Sequence, residues 1–267
     1  MTIIASVKAR DGIVLATDSM SQITERNEAG KVSIIKTYSN ARKLFQIRDL
    51  PIGVMSYGLG NIGSRSIENL VLEFSRRLEE LVEQDCTVGA VASGLDGYIR
   101  GIYEEAFQTV SIEAKRKGLR LGFFIGGYSP NEYLANEWEF ELPNIRPLRE
   151  VRESDKFGAS WRGIPLPFQR LHNGFDPRIE TELKKEGVSD EIIKKVFQVD
   201  NWRMPISYDG MPVQDAINFA VYILEVTISS ANFEMGTAPT CGGPLQVAAI
   251  LPDKGWKWVR EPELIIQ

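Results

Sequence analysis

A hydroxyl and a carboxylate could meet on one face of a hairpin near the start of the chain. Two segments with strand character flank the turn Arg10-Asp11-Gly12. If these three residues form the loop and the glycine takes the left-handed conformation, Ile4 lies opposite Asp18. Because side chains alternate between the two faces of a strand, Thr2 then lies on the same face as Asp18. A register shift of one residue would separate the two groups.

A second hairpin is predicted to bring a lysine close to a glycine. Segments with strand character flank residues 48–51, and pairing Ile47 with Ile52 places Lys43 and Gly58 near one end of the hairpin. The sequence alone does not show that this end meets the first hairpin.

The choice of lysine is not fixed by residue type. Most lysines are solvated, and Lys8 and Lys36 are equivalent to Lys43 by residue type.

The single histidine and the two cysteines exclude several chemistries. His172 lies in the polar segment 169–174, and we interpret it as a solvated or capping side chain near a helix end. Ser-His-Asp hydrolysis and histidine-based metal sites need a positioned imidazole, so neither fits well. Cys86 and Cys241 cannot form a disulfide framework, which is typical of a reducing compartment. We expect no metal and no cofactor.

A glycine-rich string suggests a nucleotide site, but its surroundings do not. Residues 58–63, GLGNIG, match the dinucleotide-binding pattern between a predicted strand and a predicted helix at 62–83. A parallel strand ending in an acidic residue should follow that helix. Instead, Asp85-Cys86-Thr87 leads into another predicted helix at 88–110. We therefore treat a nucleotide-dependent oxidoreductase as a weak alternative. If there is no nucleotide site, the glycines only allow the backbone to approach another group closely.

Several segments resemble the proteasome β-type subunits. The opening TIIA at 2–5 and DGIVLATDS at 11–19 resemble the start of these subunits. Residues 41–47, ARKLFQI, are similar to the strand that carries their active-site lysine. Residues 52–58, IGVMSYG, are similar to the strand whose glycine amide forms the oxyanion hole. Two further segments resemble strands of the same family: 121–128 and 242–250.

The resemblance implies an N-terminal nucleophile hydrolase with an α+β fold, the four-layer αββα sandwich, acting as a threonine endopeptidase. Matched position by position, Thr2 is the nucleophile, Asp18 the acid and Lys43 the lysine. Gly58 matches the oxyanion donor, and Ser160 stands one place away from the serine that supports the amine.

These residue types are consistent with one mechanism. A threonine hydroxyl is a poor nucleophile without an adjacent base, and an N-terminal amine can be that base. A free α-amine has a pKa of about 7.7–8.0, so removal of Met1 would expose a base that works at neutral pH. Lys43 would hold the Thr2 oxygen and favour the neutral amine, Asp18 would hold Lys43, and the Gly58 N–H would bind the oxyanion.

The sequence also departs from the family pattern. Residues 26–36 are additional, and the supporting Asp and Ser near the last helix have no clear match, so Ser229, Ser230 or the segment 241–243 could stand there. This mixture looks closer to the bacterial ancestral-β or proteasome-homologue branches than to core-particle β subunits. A structural or binding protein of the same fold, with no exposed nucleophile, is the alternative. The fate of Met1 distinguishes the two.

The order of elements favours two mainly antiparallel sheets with helices outside, because it lacks the regular alternation of a parallel doubly wound protein. The charged segment 173–208 is predicted to be an inserted helical pair, with Ser189 capping a helix at 190–196. The whole chain, 1–267, is otherwise predicted to be one proteasome-type domain. Beyond the hairpins and helices above, we predict strands at 121–127, 132–141, 244–251 and 256–260 and a helix at 212–229.

Composition and charge limit the partners. The chain has 267 residues, 43% of them hydrophobic, and a net charge of -5 without a basic cluster, so nucleic acid is not expected. Neither a signal peptide nor an apolar run long enough to cross a membrane is apparent, which predicts a cytoplasmic protein. The resemblance implies a peptide or unfolded-protein substrate and a homo-oligomeric ring, with any ATPase partner left open. Apolar strand residues that must be covered also favour self-association: Phe123, Phe124, Trp138 and Phe140.

Overall fold

The computed structural model describes residues 2–26, 32–82, 86–198, 202–235 and 238–262. The strands are β1 (Ile3–Ala9), β2 (Gly12–Thr17), β3 (Ser21–Arg26), β4 (Val32–Tyr38), β5 (Leu44–Gln46), β6 (Ile52–Gly58), β7 (Asn61–Ile62), β8 (Arg65–Ser66), β9 (Leu121–Gly127), β10 (Asn136–Leu142), β11 (Arg146–Arg152), β12 (Gly158–Gly163), β13 (Gln246–Leu251) and β14 (Gly255–Arg260). The helices are α1 (Ile67–Arg76), α2 (Leu78–Leu81), α3 (Val88–Ala106), α4 (Ile112–Gly118), α5 (Leu166–Asn173), α6 (Arg178–Lys185), α7 (Asp190–Val196) and α8 (Val213–Phe233).

Ten of the strands form two five-stranded sheets. Their orders are β12-β1-β2-β13-β14 and β11-β10-β9-β6-β5, while β3 with β4 and β7 with β8 form separate two-stranded ribbons. Every strand pair in the described ranges is antiparallel. This confirms the prediction of mainly antiparallel sheets. The parallel strand that a dinucleotide site requires after α1 is not found in the described part of the chain.

Three apolar clusters hold the elements together. The two sheets share a cluster that includes Ile4 and Leu15 from one sheet and Met55 and Phe124 from the other. Helices α1 and α3 pack with β6 and β9 on a second cluster. Helix α8 packs with β1 and β2 on the third. Because Thr2 directly precedes β1, this arrangement fixes where its side chain can reach.

The first long helix begins later than the sequence predicts. Asn61–Ser66 forms the β7–β8 ribbon, and α1 starts at Ile67, where the Ser66 hydroxyl accepts a hydrogen bond from the Asn69 N–H. An N-cap serine satisfies a backbone donor that the helix itself cannot. The prediction of a helix from 62 was therefore wrong by five residues, and residues 83–85 lie outside the described ranges.

Helix α8 is long and apolar enough to cross a membrane by length and composition, contrary to the sequence-based expectation. The buried core helix of a globular domain meets the same criterion. Here Ala216, Ala220 and Leu224 are buried in the cluster that α8 shares with β1 and β2.

The register of the first hairpin differs from the prediction by one residue. Ala9 pairs with Gly12, so the turn has two residues instead of three, and Ile4 pairs with Thr17 instead of Asp18. The argument that placed Thr2 and Asp18 on one face of a regular ladder was therefore wrong. The second hairpin is confirmed, since the Ile47 N–H donates to the Ile52 carbonyl at 3.0 Å.

Two interpretations of aromatic and histidine residues need correction. Phe123 stacks on Phe140 within the core, so these side chains are covered inside the chain and do not argue for self-association. His172 is buried in the last turn of α5 against Trp161 and Phe168, not solvated. Burial lowers the pKa of its imidazole, which favours a neutral packing role.

The segment 173–208 contains α6 and α7, and it is largely exposed. The Ser189 hydroxyl accepts from the Ile192 N–H at the start of α7, which confirms the predicted cap.

Candidate active site

A buried ion pair joins two of the five residues expected at the site. The Lys43 Nζ lies 2.8 Å from the Asp18 Oδ1, and the two side chains are 9% and 0% exposed. The ammonium also donates to the Met20 carbonyl at 2.5 Å. Burial lowers the pKa of Lys43 below its ordinary value, although the Asp18 carboxylate opposes that shift.

Asp18 reaches Lys43 because it lies just beyond the ladder. Strand β2 ends at Thr17, so the Asp18 side chain no longer follows the alternation of the strand. Its carboxylate accepts from the Ile3 N–H at 3.2 Å and from the Gly242 N–H at 3.0 Å. The Gly242 carbonyl in turn accepts from the Met20 N–H at 2.9 Å. These backbone contacts fix the turn that aims the carboxylate.

The Lys43 backbone is held by Gln246, a residue that the sequence analysis missed. The Gln246 Oε1 accepts from the N–H groups of Lys43 and Leu44 at 3.0 and 3.1 Å, and its Nε2 donates to the Ala41 carbonyl at 2.7 Å. A glutamine in an otherwise apolar strand is the signal that could have identified it. The Gln246 side chain therefore makes hydrogen bonds with the backbone of Ala41, Lys43 and Leu44, as a neighbouring strand would.

Replacing Gln246 by leucine is expected to lower the free energy of unfolding by about 3 kcal/mol, because two buried N–H groups and one carbonyl lose their partner at about 1–3 kcal/mol per unsatisfied group. Urea unfolding measures the change. Gln214→Leu is the matched control, because Gln214 is exposed on α8 and its side chain donates to that of Asn218 one turn along the helix. An equal effect of the two substitutions would contradict this role of Gln246.

Thr2, Lys43 and Gly58 line one cleft of about 250 Å³. Thr2 is 5% exposed, and strand β12 approaches its backbone closely at Gly163. A Cβ atom at Gly163 would lie 1.9 Å from the Thr2 carbonyl oxygen, and the glycine has φ +89°. Only glycine tolerates both conditions. Gly163 is a second residue of the site that the sequence analysis missed.

The Gly58 N–H faces the Lys43 side of its strand. The Ser56 N–H donates to the Lys43 carbonyl, whereas the Leu59 N–H donates to the Arg120 carbonyl on the opposite side. Because backbone N–H groups alternate sides along a strand, the Gly58 N–H points the same way as that of Ser56. With φ +99°, a side chain at Gly58 would bring a Cβ to 2.2 Å from the Arg120 oxygen. The glycine is therefore required, and its amide is directed towards the cleft that it shares with Lys43.

Ser160 is not brought to this cleft. It pairs with Ser6 in the β1–β12 ladder, which places it four residues along β1 from Thr2, or about 13 Å at about 3.3 Å per residue. Its hydroxyl accepts a hydrogen bond from Arg152 and lines a different cleft. The match to the amine-supporting serine therefore has no geometric support.

Of the alternatives for the missing supporting residues, only the segment 241–243 lies at the site. Ser229 and Ser230 are exposed on α8, whereas Gly242 bonds to Asp18. Cys241 is buried beside it, and burial, with a further contribution from Asp18, raises the pKa of its thiol to about 12. The thiol is therefore protonated at neutral pH and is a poor nucleophile.

Similarity to a solved structure agrees with the fold described above. The chain is similar to an Anbu Gly-1 mutant from Hyphomicrobium sp. strain MC1, with a TM-score of 0.54 and 12% sequence identity, over 97% of this chain and 86% of that one. The chain has a proteasome-like fold. No protein-family model and no curated protein matches the sequence. At 12% identity the likeness carries the fold alone.

Within this proteasome-like fold, the three candidate lysines have separate environments. Lys36 is exposed on the β3–β4 ribbon, and the buried Lys8 donates to the carbonyls of Glu153 and Ser154. Lys43 alone among them lines the cleft with Thr2. Met1, on which the predicted processing depends, lies outside the described residues, as do 27–31 of the additional segment. In the described ranges no three His, Cys, Asp or Glu side chains are arranged to hold a metal ion.

Proposed function

We propose that the chain is a threonine peptidase in which the Thr2 hydroxyl attacks a peptide bond after cleavage of the Met1–Thr2 bond. The observation that supports this is the shared cleft, which joins the threonine, the buried ammonium of Lys43 and the Gly58 N–H. Asp18 belongs to the same group of residues, because its Oδ1 lies 2.8 Å from the Lys43 Nζ.

The proposed reaction uses the freed α-amine of Thr2 as the base. The neutral amine accepts the hydroxyl proton while the Thr2 Oγ1 attacks the substrate carbonyl carbon. The Gly58 N–H then donates to the oxyanion, and the protonated amine passes its proton to the departing amine of the substrate. Water attacks the resulting ester with the same amine as base, which restores Thr2 and releases the acid product.

Lys43 would act through its charge. A cation beside the Thr2 amine disfavours a second positive charge and so keeps that amine neutral. It also lowers the cost of negative charge developing on the hydroxyl oxygen. Asp18, held by the N–H groups of Ile3 and Gly242, would keep the ammonium in place.

The finer architecture and the biological context are part of the proposal. We propose a four-layer αββα sandwich over a single domain, 1–267, because the two sheets share one core cluster while α1, α3 and α8 pack on the other clusters. The helices α6 and α7 would be the insertion. Peptides or unfolded segments would be the substrate of a cytoplasmic, homo-oligomeric ring, and Ile35 and Tyr38, exposed on the β3–β4 ribbon, are apolar surface available for assembly.

Exposure of the Thr2 amine should switch the activity on. The chain is produced behind a cleavable tag that leaves Thr2 first, and compared with the chain that retains Met1, with intact mass confirming each species. Hydrolysis of a mixed peptide library is expected only from the first, since a peptide nitrogen cannot act as the base. Acetylation of the freed amine is the matched control and should remove the activity. If a folded chain that begins at Thr2 cleaves no peptide, the proposed activity is wrong and the protein is an inactive scaffold of this fold.

A further inference from the structure

A second cleft, of about 480 Å³, is lined by arginines and lies at the edge between the two sheets. Its volume is within the range of about 300–1,000 Å³ that is typical of ligand pockets. The arginines come from three different segments of the chain, which only the fold brings together: Arg120, Arg146, Arg149, Arg152 and Arg162.

Three buried glutamates on β10 lie behind these arginines. Glu137, Glu139 and Glu141 are each 0% exposed, and their spacing of two residues puts them on one face of the strand. Every one of them is paired with at least one arginine of the cleft.

Glu139 is the carboxylate with the most arginine contacts. It accepts from the Arg149 Nε at 3.0 Å and from the Arg162 Nε at 2.6 Å. Burial alone would raise the pKa of the Glu139 carboxyl, but the arginines outweigh burial and lower it. The carboxylate is therefore ionised at neutral pH and needs no further cation.

The cleft nevertheless contains more cations than its carboxylates use. Five guanidinium groups face three glutamates, which leaves an excess of two positive charges. The acids Glu150 and Asp155 lie near the buried Lys8 and do not line the cleft.

Two of the arginines are placed to use this excess. The Arg120 and Arg149 side chains are 52% and 54% exposed, while the carboxylates that they contact are buried. Each guanidinium has five N–H donors in a fork that matches a carboxylate. Arg149 directs its Nε and one Nη to Glu139, which leaves N–H donors on its other nitrogen for an incoming anion.

The arginine cleft adjoins the cleft that contains Thr2. Tyr57 lines both clefts. The Arg120 carbonyl packs against Gly58, and Gly163 lines the arginine cleft while its backbone approaches the Thr2 carbonyl. A peptide that reaches Thr2 could therefore extend to Arg120 and Arg149.

We propose that this cleft binds the side-chain carboxylates of an acidic peptide segment, so that the peptidase prefers substrates with Asp or Glu next to the cleaved bond. This preference rests on the proposed function, because the peptide is taken to reach Thr2. The arginine cleft that would bind these carboxylates is separate from the smaller cleft that contains Thr2 and Lys43.

Binding is tested on the Thr2→Ala chain, which retains the cleft but cannot turn over a bound peptide. Fluorescence anisotropy compares a labelled peptide containing two Glu residues with the same peptide containing Gln, both with blocked ends. We expect the Glu peptide to bind at least about 10-fold more tightly, because hydrogen bonds from a guanidinium to a carboxylate are charge-assisted and stronger than those to a neutral amide. Equal binding of the two peptides would overturn the proposal. Inorganic phosphate is the competing probe, and displacement of the peptide at micromolar phosphate would assign the cleft to a free anion instead.

Arginine variants locate the binding. Arg149→Gln and Arg120→Gln should each weaken binding of the Glu peptide about 10-fold and leave the Gln peptide unaffected. Each substitution leaves its glutamate another arginine, since Glu139 keeps Arg162 and Glu141 keeps Arg146. If Arg149→Gln lowers the melting temperature, Arg149→Lys keeps the charge without the fork and should retain intermediate affinity.

Arg178→Gln is the matched control, because Arg178 is an exposed arginine paired with Asp176 on the surface. Folded cleft variants with the affinity of the control would overturn the proposal. If the chain binds the Glu peptide selectively but the chain that begins at Thr2 hydrolyses no peptide, the proposed function is wrong and the acidic-peptide site remains supported. If that chain hydrolyses peptides but binds the Glu and Gln peptides equally, the proposed function remains supported and the acidic-peptide site is wrong.

Discussion

Replacing Thr2 by alanine is expected to abolish peptide hydrolysis in a chain that begins at residue 2, with a loss of about 10⁴-fold or more. The substitution removes the only hydroxyl that the proposal uses as nucleophile, and it keeps the α-amine that would act as base. Thr2 lines the cleft and is almost completely buried, so the loss of a methyl and a hydroxyl should cost only about 1 kcal/mol of stability.

Two controls accompany Thr2→Ala. Thr2→Ser retains a hydroxyl and should retain measurable hydrolysis. Thr37→Ala removes the same atoms from the exposed β3–β4 ribbon and should match the wild type. Hydrolysis of a fluorogenic peptide, with circular dichroism on each variant, gives the result. Wild-type rates in Thr2→Ala would show that a different group attacks the substrate.

Replacing Lys43 by methionine should damage both activity and stability. The rate is expected to fall by about 10²–10⁴-fold, because no cation would then keep the Thr2 amine neutral or stabilise charge on its oxygen. The Asp18 carboxylate, 0% exposed in its side chain, would lose the side-chain cation with which it pairs among the described residues. Breaking a buried pair costs about 3–5 kcal/mol. Because Asp18 keeps the N–H groups of Ile3 and Gly242, we expect the low end of that range.

The double variant Asp18→Asn/Lys43→Met separates the two effects of Lys43. It removes the unpaired charge, so urea unfolding should show that part of the lost stability is recovered, while the rate of hydrolysis stays as low as in Lys43→Met. Lys36→Met is the matched control on the exposed ribbon and should change neither quantity. If Lys43→Met proved as stable as this control, the Asp18–Lys43 pair would not contribute to the free energy of unfolding.

The two hairpins show what the sequence could predict and what it could not. The second hairpin was predicted in register because its apolar residues and the short turn at 48–51 allow one good pairing, Ile47 with Ile52. The first was shifted by one residue, because Ala9 and Gly12 close a two-residue turn that the residue types do not distinguish from a three-residue loop. Asp18 still meets Lys43, since strand β2 ends one residue before it.

Other parts of the site depend on contacts that are distant in sequence. Gln246 lies 203 residues from Lys43, and no local pattern indicates that its amide would pair with the segment before β5. The position of Ser160 depended on the β1–β12 register, which only the assembled sheet fixes. The alternation of charged and aromatic residues in β10 is typical of a strand with one solvated face. The structure instead buries the glutamates, because arginines from neighbouring segments neutralise them.

Gly242 and Gln246 contact residues in the first fifth of the chain, so the site can assemble only after these two late residues have been synthesised. The groups that aim Asp18 and hold Lys43 leave the ribosome more than two hundred residues after Thr2. A nascent or truncated chain therefore carries the hydroxyl without the arrangement that would make it reactive. Under the proposed function, Thr2 would become reactive only after the last strands have paired with the first, so that folding itself would keep an unfinished chain inactive.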